Sequence, residues 1–307
     1  MKSFSFILST TVSQELNNLD LVRKRVLVEQ MSSGKETEIR FDNLTRIIAS
    51  SLMLSGKSAG VNEISATILN KKNTTLSADI IAIKNAFDYL RHFCLLKEGP
   101  IDVSTITAII KTLKPQKKID FENLKTVVEF VNVNPENSVV QAGIFFGLLY
   151  DVLPEDNNSI KIASIVSEAF TYKHGYDFRG MINLQEFFFS DLLNLKKKLK
   201  TAQDSGNLSQ VIEYYVQAYS IQAEKAYQIL SKRLLQNKLP DAISKLSERQ
   251  TKILALFDTP NAKITNKSVQ KEFGVSQITA SRDLSKLALV GLVFQMGRGR
   301  SVYYVKP

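Results

Sequence analysis

The chain has 307 residues, 44% apolar and 23% charged, proportions that suit a soluble globular protein with one large domain and one small one. Its longest uncharged apolar run, Ala142 to Tyr150, is too short to cross a bilayer, so no membrane partner is expected. Its one cysteine, Cys94, excludes an internal disulfide, and the expected compartment is the cytoplasm. The net charge is +10 and unevenly spread. From Ser247 to Pro307 ten basic residues (Arg249, Lys252, Lys263, Lys267, Lys271, Arg282, Lys286, Arg298, Arg300, Lys306) oppose four acids (Glu248, Asp258, Glu272, Asp283). An excess of six on a small domain favours a polyanion partner, or serves solubility alone.

Taken in chain order, Phe4-Ser5-Phe6-Ile7-Leu8 is too short for a signal-peptide core and lacks a cleavage site, so it reads as a buried edge or arm. Helical periods then follow one another over residues 13–31, 41–53, 78–96, 103–113, 121–132, 138–152, 159–174, 184–202 and 209–236. Residues 138–152 are nearly all apolar, as the central helix of a bundle should be. Neither histidine stands in metal-ligand spacing, so no metal site is expected. His92 lies within a helical stretch and is read as structural. His174 precedes Gly175 at a helix end, ordinary C-terminal capping chemistry. These elements make residues 1–240 an all-helical domain.

Asn237-Lys238-Leu239-Pro240 breaks the last helix and opens a second domain, 241–307. Helices are expected over 246–257, over 265–273 with Thr265 as N-cap, and from Ser276 to Leu289, ending at Gly291. Two β-rich runs, 292–296 and 301–305, flank Gly297-Arg298-Gly299-Arg300, a hairpin signal. Three helices and a basic-tipped hairpin make a winged helix-turn-helix. On a helical wheel Ala280, Leu284 and Leu287 face inward, while Thr279, Arg282 and Lys286 share the opposite face. With Gln277 at the start of that helix and Arg298 and Arg300 at the wing tip, these are the candidate DNA-binding residues. The alternative is a winged helix used for dimerisation or protein contact.

The run Ser276-Gln277-Ile278-Thr279-Ala280-Ser281-Arg282-Asp283-Leu284, with Gly297-Arg298-Gly299-Arg300, resembles the winged helices of bacterial regulators and of many Fic proteins. Tyr172-Lys173-His174-Gly175-Tyr176-Asp177-Phe178-Arg179-Gly180, continuing through Leu184-Gln185-Glu186-Phe187-Phe188, resembles the stretch after the Fic active site. Gly206-Asn207-Leu208-Ser209 and Ile212-Glu213-Tyr214-Tyr215 are similar to that family's final helix. The likeness covers residues 40–236, with the Fic core over 78–236.

In Fic enzymes a loop His-Pro-Phe-x-Asp-Gly-Asn-Gly-Arg supplies a general base and a phosphate cradle for transferring AMP from ATP to a protein hydroxyl. The same register here gives Leu153-Pro154-Glu155-Asp156-Asn157-Asn158-Ser159-Ile160-Lys161, in which only the proline survives. Leu153 cannot accept a proton. Asn157 is a poor magnesium ligand. Asn158 and Ile160 crowd positions that were glycine, Ser159 stands where the family has asparagine, and Lys161 cannot pair bidentately as arginine does. The family's inhibitory glutamate falls at Leu54 or Ser55, and its target-docking flap is shortened to residues 113–120. The resemblance therefore implies a mainly α, catalytically degenerate Fic-type bundle, with no cofactor and DNA as partner. It leaves open a homodimer, a protein partner in the old groove, and an adenylyltransferase with a non-standard site that would use ATP and magnesium.

Overall fold

The computed structural model describes residues 4–29, 31–69, 75–94, 98–113, 115, 119–134, 136–235, 246–259, 262–289, 292–297 and 302–306, with side chains omitted at 232–235. The fold is mainly α. Its first eleven helices are α1 (Thr10–Val28), α2 (Ser33–Leu54), α3 (Val61–Ile68), α4 (Ser77–Tyr89), α5 (Val103–Thr112), α6 (Phe121–Val133), α7 (Ser138–Val152), α8 (Ser159–Lys173), α9 (Leu184–Ser190), α10 (Leu192–Ser205) and α11 (Ser209–Leu235).

The central helix is α7, packed against α6, α8, α10 and α11. It buries Val139, Val140, Ile144, Phe145, Phe146, Leu148 and Leu149 completely or nearly so, each worth about 1.5–3 kcal/mol relative to exposure. Two glycines let α11 come close. A Cβ at Gly147 would stand 2.8 Å from Leu208, and one at Gly143 would stand 3.2 Å from the Tyr215 Cβ. The N-terminal segment is an arm, but only Phe4, Phe6 and Leu8 pack partly against the core and Ile7 is 80% exposed, so it is not the buried edge expected. Ser5 pairs in parallel with Asn207, its amide donating to the Gly206 carbonyl and its carbonyl accepting from the Leu208 amide, both at 2.9 Å.

Several elements differ from the sequence expectation, each for a local reason. The first helix begins at Thr10 because the Ser9 hydroxyl caps the Val12 amide. The second helix starts two turns early, at Ser33, in polar sequence held by the Glu36–Arg40 ion pair. The short α3 gave too little periodicity to be seen. The fourth helix passes into a π turn at Leu90–Cys94. The expected helix 184–202 is two helices, broken at Asp191 (φ −127°, ψ 36°), whose carboxylate accepts from the Tyr214 hydroxyl and the Asn194 amide.

Beyond residue 245 lie α12 (Glu248–Ala255), α13 (Asn266–Phe273), α14 (Gln277–Leu289) and an antiparallel pair, β1 (Phe294–Met296) with β2 (Tyr303–Val305). Ile264 bridges antiparallel to Tyr304 on the other edge of β2. These elements close over their own buried cluster, which includes Ile253, Leu254, Phe257, Val269, Ala280, Leu284, Leu287 and Val293, separate from the cluster of α1–α11. The expected connector 237–240 and the wing-tip residues Arg298 and Arg300 lie outside the described residues, as do Lys114 and residues 116–118 of the expected flap.

Candidate functional site

Two places bring chemistry-bearing residues together: the turn between α7 and α8, and the outer side of α14. In the first, α7 ends at Val152, and Leu153 takes the C-cap with its side chain buried. Pro154 follows, then exposed Glu155 and Asn157. The turn closes through Asp156. One oxygen of its carboxylate accepts from the Asn158 amide at 2.7 Å and from the Ser159 hydroxyl at 3.1 Å. The same hydroxyl is also within hydrogen-bonding reach of the Pro154 carbonyl. This Asx turn ends on Asn158, the N-cap residue of α8, whose own side chain makes no cap bond, and it sets a negative charge near the helix's positive end. The chain's own carboxylate thus places negative charge beside the helix start, where it opposes a bound anion.

Lys161, in the first turn of α8, is 4% exposed, and its ammonium donates to the Asn158 side-chain carbonyl at 2.8 Å. Burial pushes its pKa below the ordinary lysine value. The negative charges of Asp79 and Asp156 resist that shift, and Lys57 adds to it. Asp79 and Lys57 are themselves paired at 2.6 Å. Lys57 follows the C-terminal end of α2, where Leu54 is buried in the core and the Ser55 hydroxyl donates back to the Leu52 carbonyl at 2.9 Å. The fold therefore does bring the end of α2 to the start of α8. The residues meeting there are a leucine, a capped serine and a Lys–Asp–Lys cluster. Among the described residues no group of three or more His, Cys, Asp or Glu is placed to hold a metal.

Behind the turn, α8 is buried on every side from Ser159 to Tyr172. Its hydroxyls are satisfied within the helix: Ser164, Ser167 and Thr171 donate to carbonyls three residues back, each at 2.9 Å. Glu168 is fully buried and accepts from Gln185 at 2.7 Å. Burial outweighs that hydrogen bond and the nearby charge of Arg91, and pushes its pKa up to about 8. Its second oxygen has no hydrogen-bond partner among the described residues, as suits a neutral acid. This group carried no signal in the sequence.

The segment after α8 is held by charge. Phe178 and Arg179 both have positive φ (47° and 60°), a conformation that costs about 1–3 kcal/mol per residue. Arg179 pairs with Glu36 at 2.7 Å and donates to the Glu29 carbonyl at 2.8 Å, while its own carbonyl accepts from Arg40. Burial alone would raise the Glu36 pKa. The hydrogen bond from Arg179 and the charges of Arg40 and Arg179 hold it below the usual carboxylate value. His174 is the C-cap of α8 and its ring lies 3.0 Å from the Phe170 carbonyl. His92 is buried 4.9 Å from the Phe294 ring, where burial holds its pKa down.

At the second place, Ser276 caps α14 through the Thr279 amide, and the Asn266 side chain donates to the Gln277 carbonyl, tying the start of α14 to the start of α13. Ala280, Leu284 and Leu287 face inward as the wheel requires. Asp283 is buried too, accepting from Arg249 at 2.6 Å and Gln250 at 2.7 Å. The outer face is turned slightly from the one expected: Gln277, Ile278, Ser281, Arg282 and Ser285 are exposed, while Thr279 and Lys286 are half-buried at its flank. Lys267 and Lys271 of α13 are exposed as well.

Among solved structures, the chain resembles a Fic family protein from Desulfovibrio desulfuricans G20, with a TM-score of 0.60 at 10% identity over 100% of this chain and 98% of that one. It also resembles Fic-1 (residues 134–508) of C. elegans, with a TM-score of 0.58 at 13% identity over 74% of each chain. No family model and no curated protein matches the chain. At such identity the likeness is one of architecture, and the chain has the fold of Fic family proteins.

Proposed function

We propose that this chain is a DNA-binding protein built on a catalytically silent Fic scaffold, with residues 1–240 as the helical domain and residues 241–307 as a winged helix that contacts duplex DNA. The observation that carries the proposal is the outer face of α14: a capped, fixed helix start followed by short polar side chains and Arg282 in the open. Helices of this kind enter the major groove by their N-terminal residues. The neighbouring exposed Lys267 and Lys271 and the excess positive charge suit the phosphate backbone.

Silence of the scaffold is supported by the α7–α8 turn. The residues there do not fit a nucleotide triphosphate with magnesium. Leu153 is buried and apolar, the Asp156 carboxylate lies against the amide of the α8 N-cap residue, and Lys161 is turned to Asn158. The test is a pair of assays on the full chain. Labelled ATP with magnesium should leave no label on the chain or on added proteins. A duplex should be retained by the native chain and released by Arg282→Ala/Lys286→Ala. Label transfer at a rate lost on altering Glu155 or Asp156 would favour an adenylyltransferase instead.

A further inference from the structure

Ile278 is the most conspicuous feature of α14 that phosphate binding leaves unexplained. It is 65% exposed, the second residue of the helix, on a surface whose other members are Gln277, Ser281, Arg282 and Ser285. Ser281 and Arg282 lie three and four residues on, directly beside it along the helix. Its position is not loose: the Ser276 cap and the Asn266 bond fix the first turn of α14, and Ala280 and Leu284 anchor the opposite side in the core. The small side chains of Ser281 and Ser285 leave room for close approach. A β-branched apolar side chain held rigidly in a row of polar and cationic groups meets one natural complement in duplex DNA, the C5 methyl of thymine on the major-groove floor. The charge of the surrounding helices, with Lys267, Lys271 and Arg282 exposed, fits a polyanion and disfavours a second copy of the same positive face.

We propose that Ile278 is a specificity-determining residue that reads a thymine methyl in the major groove, beside a base or phosphate contact from Arg282. This rests on the DNA-binding proposal above and names the chemistry of the sequence recognised. The DNA site would contain a thymine whose methyl matters. Loss of that methyl should weaken binding by about fourfold, the value of one buried methyl-sized group.

The experiment uses the full chain and duplexes enriched from a randomised library by repeated binding. Each thymine in the enriched site is replaced in turn by deoxyuridine, which lacks only the methyl. Affinities are measured for the native chain, Ile278→Ala and Arg282→Ala, with helicity checked for each. The expected result is a single thymine whose replacement costs the native chain about fourfold and costs Ile278→Ala nothing, a coupling that isolates the contact. Additive effects at every thymine, or enrichment of no sequence at all while Arg282→Ala still loses binding, would overturn the thymine contact and leave DNA binding standing. No binding by the native chain at low salt would overturn both.

Discussion

Removing the Asp156 carboxylate tests whether the start of α8 is closed by the chain itself. Asp156→Ala deletes the acceptor for the Asn158 amide at 2.7 Å and for the Ser159 hydroxyl at 3.1 Å. Loss of these turn hydrogen bonds costs about 1 kcal/mol, and loss of the negative charge at the helix start adds about 0.3–1 kcal/mol. The sum, about 1–2 kcal/mol, lowers the Tm of a unit this size by roughly 3–6 °C. Asp156→Asn keeps the acceptor and drops the charge, so it should lose only the smaller part. The assay is thermal unfolding followed by circular dichroism, with and without inorganic phosphate. In Asp156→Ala the freed amide should make phosphate more stabilising than it is for the native chain, through preferential binding to the folded state. A variant that melts with the native chain and responds to phosphate identically would refute the self-closed turn.

Other consequences follow from the buried charges. Glu168 has a folded pKa of about 8 against an ordinary 4.5. Its contribution to stability is complete below pH 4.5 and is lost as pH rises through about 8, at about 1.4 kcal/mol per pKa unit. Denaturant melts should show the native chain weakening over that window and Glu168→Gln holding steady, ending the more stable of the two at high pH. Glu36 has the opposite sign: its depressed pKa gives stability that is present above 4.5 and lost as pH falls through the folded value, so Glu36→Gln should flatten the acid limb of the same melts. Arg179→Ala should cost about 1–2 kcal/mol by removing one of the two arginines on Glu36 and the bond to the Glu29 carbonyl. Arg179→Gly should cost roughly 1 kcal/mol less, because glycine accepts φ 60°. Asp283→Ala should lower the melting temperature of the C-terminal helices by leaving the buried Gln250 amide without its acceptor, a loss of about 1–3 kcal/mol.

Much of the fold was legible because its signals were local. Asn137 caps α7 and Thr265 caps α13, and the bounds of α7 were readable to the residue because a nearly all-apolar stretch lies between a cap and a proline. What the sequence concealed was long-range or satisfied out of sight. On a helical wheel Ser164, Ser167, Glu168 and Thr171 look like a solvated stripe, yet they are core. Their hydroxyls bond within α8 and Glu168 sheds its charge, so burial costs less than their polarity suggests. Asp156 closes its turn through the Asn158 amide, a contact that a residue-by-residue match to the family loop does not reveal. The face of α14 was turned by one position because Asp283, polar by type, is buried against Arg249 and Gln250, and a wheel weighted by residue type cannot see those partners.

The most direct measurement is the affinity of the full chain for duplex DNA by fluorescence anisotropy across a salt series, beside Arg282→Ala/Lys286→Ala. A protein that docks α14 in the major groove with a handful of phosphate contacts should give a log–log salt slope of roughly −3 to −6. The double variant should bind many-fold more weakly with a shallower slope. Equal binding by the two proteins, or no binding by the native chain at low salt, would contradict a DNA-binding role for α14 and return attention to the α7–α8 turn.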